Sequence, residues 1–147
     1  MDKSPVRILL ADDDIDDCDF FSQALQELPF SSELQIVHNG EELLKTLKGL
    51  TEHLAMLFLD LNLPRRNGIE CMEEIKRIPA LTDLPVVIFS TSFELKVINQ
   101  LYEKGARYYA RKPATFTELK QVIFNVTRLT LETSEPKTSR HQFVLNS

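Results

Sequence analysis

Five short apolar runs, each followed by a stretch with helical spacing, constrain this 147-residue chain more than any other feature. The runs are VRILLA (6–11), LQIVH (34–38), AMLFLD (55–60), PVVIFS (85–90) and ARYYAR (106–111). They are close to continuously apolar rather than alternating, which predicts strands covered on both faces. Between them, apolar side chains recur every three to five residues. Phe20, Phe21, Leu25 and Leu28 mark the first helical segment; Leu43, Leu44, Leu47 and Leu50 the second; Ile69, Met72, Ile75 and Ile78 the third. Leu95, Ile98, Leu101 and Tyr102 mark the fourth, and Phe116, Leu119, Val122, Ile123 and Val126 the fifth. Asn39-Gly40 and Asn67-Gly68 punctuate helix starts, Gly105 a helix end and Pro85 a strand start. Strands alternating with helices of this length pair in parallel through right-handed crossovers. The expected fold is α/β, a doubly wound five-stranded parallel sheet.

Bulk properties narrow the function. One domain is the expected count at this length, and one core suffices without disulfides. Net charge is −5 and the basic residues are scattered, which weighs against nucleic acid as a partner. Cys18 and Cys71 are far apart, and His38, His53 and His141 do not cluster with them, so no zinc-site spacing arises. The thiols read as packing residues of a reducing compartment. The N-terminus has no secretory h-region, and no apolar run reaches the length of a membrane span. The expected location is the cytoplasm, without membrane association.

Ligands of open α/β sheets bind beyond the carboxyl ends of the strands. Those ends carry Asp12, Asp13 and Asp14 after the first run, Asp60 after the third, Ser90 and Thr91 after the fourth, and Lys112 and Pro113 after the fifth. Clustered carboxylates repel one another. An oxygen-ligated dication such as Mg2+ offsets that repulsion at Asp12, Asp13 and Asp60. Lys112 can pair with a carboxylate or with a phosphoryl oxygen, and a carboxylate so placed can attack phosphorus. Asp14, Asp16 and Asp17 read instead as ordinary acids of a helix start.

Four motifs in order, ILLADDD, LFLDLNLPRRNG, PVVIFST and GARYYARKP, resemble a response-regulator receiver domain of two-component signalling, over residues 6 to about 128. The free-standing length, DLNLP and STS resemble the single-domain receivers related to phytochrome partners. The resemblance implies a flavodoxin-like (βα)5 fold with strand order 2-1-3-4-5. It makes Asp60 the phosphoacceptor, with Asp12, Asp13 and the backbone carbonyl of Asn62 around Mg2+. It makes Ser90 and Tyr109 the switch pair, Lys112 the lysine that meets the phosphoryl group, and Asn62 and Ser92 the positions that tune aspartyl-phosphate lifetime. A cis peptide before Pro113 is also implied. Ala114 and Thr91 depart from the commonest family residues, Phe and Ala, without removing a group the reaction needs. Tyr108 and Tyr109, as strand neighbours, face opposite sides.

The implied function is a phosphoacceptor that takes a phosphoryl group from a sensor histidine kinase or histidine phosphotransfer protein. Its signal lies in the face formed by the fourth helix, fifth strand and fifth helix, through which such domains also pair as homodimers. Self-catalysed phosphorylation and dephosphorylation are expected, not turnover of an external substrate. Too few residues follow the fifth helix for a DNA-binding domain, so output by protein contact, relay or phosphate sink is expected. Two other classes compete. A phosphorylation-independent pseudo-receiver would carry a damaged site. A Mg2+-dependent phosphatase of the haloacid-dehalogenase type would carry an acid two residues after its nucleophile, where Asn62 stands. Residues 1–131 form the expected domain. Residues 132–147 read as a polar tail, disordered or docked through FVL (143–145), which joins or blocks the signalling face.

Overall fold

In the computed structural model, which describes residues 4–133 and 137–145, the five predicted strand–helix units follow one another in order. They are β1 (Val6–Ala11), α1 (Ile15–Gln26), β2 (Ser32–Val37), α2 (Gly40–Lys48), β3 (Met56–Leu59), α3 (Gly68–Arg77), β4 (Val86–Ser90), α4 (Leu95–Glu103), β5 (Tyr108–Arg111) and α5 (Phe116–Glu132). A short 3-10 turn, Pro79–Leu81, precedes β4.

All strand pairs are parallel, in the order β2-β1-β3-β4-β5. The expectation of five strands needs correction. A short helix α6 (Arg140–Phe143) and a sixth strand β6 (Val144–Leu145) follow, and β6 pairs with β5 at Tyr109↔Val144 and Ala110↔Leu145. The physical reason lies in the open edge of β5. Its unpaired backbone groups accept a short extended segment, and the apolar Phe143 supplies the burial that a two-residue strand lacks.

β3 and β4 are buried along their whole length, as near-continuous apolar runs predict. β2 departs from that expectation. It starts earlier, at Ser32, and half-buried residues alternate with exposed ones, because it is the edge strand beside β1 alone. The sheet separates two cores. On one side, Leu9, Leu57, Leu59, Ile88 and Tyr109 pack with α2, α3 and α4. On the other, Ile8, Leu10, Phe58, Val87 and Phe89 pack with α1 and α5. Phe21 meets Phe58 edge-to-face at 4.9 Å, and both meet Phe89 at 5.9 Å. This aromatic cluster lies under the strand ends where the polar residues gather.

Candidate functional site

The carboxyl edge of the sheet brings Asp12, Asp60, Ser90 and Lys112 together from four separate strand ends. β1 runs one residue past its ladder into Asp12, whose N–H donates to the Val37 carbonyl of β2. Asp60 sits likewise beyond β3, its N–H bonded to the Ala11 carbonyl. The strands therefore hold both backbones, and both carboxylates are buried.

Lys112 closes the site. Its Nζ donates to Asp12 Oδ2 at 2.7 Å, to Asp60 Oδ2 at 3.0 Å and to Asp17 Oδ2 at 3.0 Å. Burial works against the ammonium, but the bond to Asp12 and the charges of Asp60 and Asp12 outweigh it and hold Lys112 above its ordinary pKa. Burial raises the Asp12 carboxyl, and the bonds from Lys112 and the Asp14 N–H oppose that shift. Asp12 Oδ1 accepts from Asp14 N at 3.0 Å, and Asp60 Oδ1 from Asn62 N at 3.2 Å. The Asp12 carbonyl accepts from His38 Nδ1 at 3.0 Å and from the Cys18 thiol. His38 is thus bonded to the site's backbone, a role that its place at the end of the second apolar run does not reveal.

Asp13 is exposed beside this pair. Ligand oxygens of Asp12, Asp13 and Asp60 lie within 4.8 Å of one another. Three hard oxygen donors at this spacing, two of them buried, fit a dication of the Mg2+ or Mn2+ class.

The loop that carries Asn62 is set by close approach. A Cβ on Gly68 would lie 2.7 Å from Leu61 Cα and 2.8 Å from the Asp60 carbonyl oxygen. Only glycine lets α3 start this near the end of β3. The α3 start is fixed by a capping box in which Asn67 and Glu70 each accept the other's backbone N–H.

Ser90 is fully buried at the end of β4, and its Oγ accepts from Ser92 N at 3.1 Å. Tyr109 is fully buried, and its hydroxyl donates to the Ser92 carbonyl at 2.6 Å. Burial pushes the Tyr109 phenol above its ordinary pKa. Ser92 thus links Ser90 to Tyr109 through its own backbone. Tyr108 faces the opposite core, as strand alternation predicts, and is buried as well. No peptide bond among the described residues is cis, so the Lys112–Pro113 bond differs from the form that the resemblance implies. The two isomers of an X–Pro bond differ by only about 1 kcal/mol, so local packing selects between them.

The helix-start reading holds for Asp14, which is the N-cap of α1 and accepts from Asp17 N. For Asp17 it was incomplete, since its carboxylate reaches Lys112. The two residues are 95 apart in sequence, and no local signal joins them.

Residues 8–124 match the family model described as the response regulator receiver domain. The chain belongs to the response-regulator receiver domain family. It is 29% identical over 134 residues to the response regulator Rcp1 of a Synechocystis species, covering 88% of this chain and 91% of that protein. Among solved structures it is similar to the phosphorylated cyanobacterial phytochrome response regulator RcpA, with a TM-score of 0.81 and 28% identity, covering 90% of this chain and 98% of that one. The Mn2+-bound form of Rcp1 superposes with a TM-score of 0.78 at 28% identity, covering 89% of this chain and 98% of that one. The expected flavodoxin-like parallel sheet is therefore correct, apart from the added sixth strand. Receiver domains are signalling proteins that take a phosphoryl group from histidine kinases onto an aspartate, and they bind a divalent metal. No helix among the described residues is long and apolar enough to cross a membrane.

Proposed function

We propose that this receiver accepts its phosphoryl group on Asp60, from a histidine kinase or histidine phosphotransfer protein, in a Mg2+-dependent step. The observation that carries this reading is the Lys112 ammonium spanning Asp12 and Asp60 at 2.7 and 3.0 Å. That contact joins three strand ends into one charged centre.

Asp12, Asp13 and Asp60, with the Asn62 carbonyl, would hold the metal. Mg2+ held there would offset the negative charge of the transferring phosphoryl group. An Asp60 carboxylate oxygen attacks phosphorus as the donor's P–N bond breaks, and the leaving imidazole keeps the electron pair and takes up a proton. Lys112 then pairs with a phosphoryl oxygen as a compact point charge. Ser90 turns its hydroxyl to the same group and gives up its bond from Ser92 N. Ser92 also accepts from Tyr109, so that change shifts the β4–α4 loop and frees the Tyr109 ring to take another rotamer. Phosphorylation favours a state already accessible to the free protein.

The face that partners read comprises α4, β5 and α5, together with β6 on the β5 edge. A homodimer through this face includes β6 in its contact. Asn62 and Ser92 tune the lifetime of the aspartyl phosphate, which Asp60 and its surroundings hydrolyse without an external enzyme. The site is cytoplasmic and needs no nucleic acid.

Incubation with acetyl phosphate and Mg2+, followed by intact-mass measurement, tests the reading. One added phosphoryl group is expected, absent in Asp60→Asn and absent with EDTA. An adduct that persists in Asp60→Asn rejects it.

A further inference from the structure

We infer that Asp17 is a positioning residue for Lys112, recruited by a diverted helix cap. The inference rests on the phosphoacceptor reading of Asp60. Asp14 is the N-cap of α1 and Asp17 is its N3 residue, the place from which a Glu or Gln side chain reaches back to the N-cap N–H in a capping box. In α3 that happens: Glu70 Oε1 accepts from Asn67 N at 3.1 Å. In α1 it does not. The Asp14 N–H is already taken by Asp12 Oδ1 at 3.0 Å, and the Asp17 carboxylate accepts from Lys112 Nζ at 3.0 Å instead.

The consequence is a fully engaged ammonium. Lys112 has three protons and three carboxylate partners, Asp12, Asp17 and Asp60. Two partners stand on rigid strand ends and are buried. Asp17 is the third, 43% exposed on the helix side, where it and Lys112 line a cavity of about 290 Å³ with Phe20, Phe89 and Phe116. A lysine stem has many rotamers, and holding its head from two directions removes that freedom before the reaction. When Asp60 becomes an acyl phosphate, its carboxylate charge is lost to Lys112. Asp12 and Asp17 then keep the ammonium in place while its third proton turns to a phosphoryl oxygen.

An ordinary helix-start acid would do none of this. Asp16 lies in the same first turn, at the same helix end, and serves as the control. The test compares wild type, Asp17→Asn, Asp17→Glu and Asp16→Asn. One readout is the 15N-detected exchange of the Lys112 ammonium protons with water in the unphosphorylated protein. The other is the rate of phosphorylation by acetyl phosphate at saturating Mg2+. Asp17→Asn is expected to speed the exchange and to slow phosphorylation by about two- to fivefold, the scale of a part-exposed ion pair. Asp17→Glu restores part of both, and Asp16→Asn changes neither, although both Asn variants lose similar helix-end stabilisation. Wild-type ammonium exchange in Asp17→Asn overturns the inference, whatever the rate. Faster exchange with an unchanged rate overturns it too. If wild type gains no phosphoryl group, the phosphoacceptor reading fails, and the ammonium exchange still decides whether Asp17 holds Lys112.

Discussion

The ring of Phe143 meets Tyr109 edge-to-face, with centroids 6.4 Å apart and planes at 64°. Phe143 also meets Tyr102 of α4 at 5.1 Å, and it is fully buried. A residue of α6, beyond the fifth helix, thus packs on the strand-five tyrosine that Ser92 connects to Ser90. Phe143→Ala is expected to release α6 and β6 from the sheet edge. A core Phe→Ala change costs about 3–5 kcal/mol. Here the global cost falls at or below the lower end of that range, because the segment can detach while the rest stays folded. Phe58→Ala, at the centre of the sheet, has no such escape and should cost the full amount. Urea titration gives the two costs. Hydrogen exchange at Ala110 and Leu145 should rise in Phe143→Ala alone.

Gly68 and Gly49 make opposite predictions. At Gly68 the new methyl meets backbone of Leu61 and Asp60 below 3 Å, so Gly68→Ala must push α3 away from the phosphoacceptor loop. A loss of about 1–3 kcal/mol is expected, with slower phosphorylation of Asp60. At Gly49 the nearest atom is 3.6 Å away and φ is −97°, which alanine adopts readily. Gly49→Ala should be neutral or stabilising by about 0.5 kcal/mol, through the unfolded chain. Thermal melts of the two variants check this, and equal losses would contradict it.

Most of the architecture was legible because its cause is periodicity. Buried parallel strands such as Val86–Ser90 write continuous apolar runs, and helices such as Gly68–Arg77 write a step of three or four. The strand-end rule then placed Asp12, Asp60 and Lys112 together without knowledge of their contacts. What was not legible depends on position in space. Ser32–Val37 reads as any other strand until its place at the sheet edge exposes one face. Val144–Leu145 is too short to carry a period, and its pairing depends on a free edge at β5. The Asp17–Lys112 contact goes with the Asp12 carboxylate taking the Asp14 N–H, to which the N3 acid of α1 could otherwise turn.

Both thiols should be inert in the folded protein. Burial, and then the Asp12 charge, push Cys18 up to about 12, and burial pushes Cys71 up to about 11. At pH 8 the thiolate fraction of Cys71 is about one in a thousand, and that of Cys18 is lower. Ellman's reagent should therefore leave the native protein unmodified over minutes and titrate two thiols in urea. Rapid labelling of either cysteine in buffer would show that the helix faces of α1 or α3 open more often than their packing implies.

Replacing Lys112 separates its structural and chemical roles. Lys112→Met leaves Asp12 and Asp60 buried without their shared cation, and breaking a buried pair costs about 3–5 kcal/mol. Part of that is relieved when a carboxyl takes up a proton, so a loss near the lower end is expected in EDTA. Mg2+ should then stabilise the variant more than wild type. The dication takes over the neutralisation, and no ammonium repels it from Asp12 and Asp60. Calorimetric titration should accordingly give tighter Mg2+ binding in Lys112→Met, although phosphorylation by acetyl phosphate is lost. Weaker Mg2+ binding in the variant would mean that Lys112 arranges the carboxylates for the metal rather than competing with it. The expected opposite signs, tighter metal and lost reaction, follow from one geometry in which the same two carboxylates serve both cations.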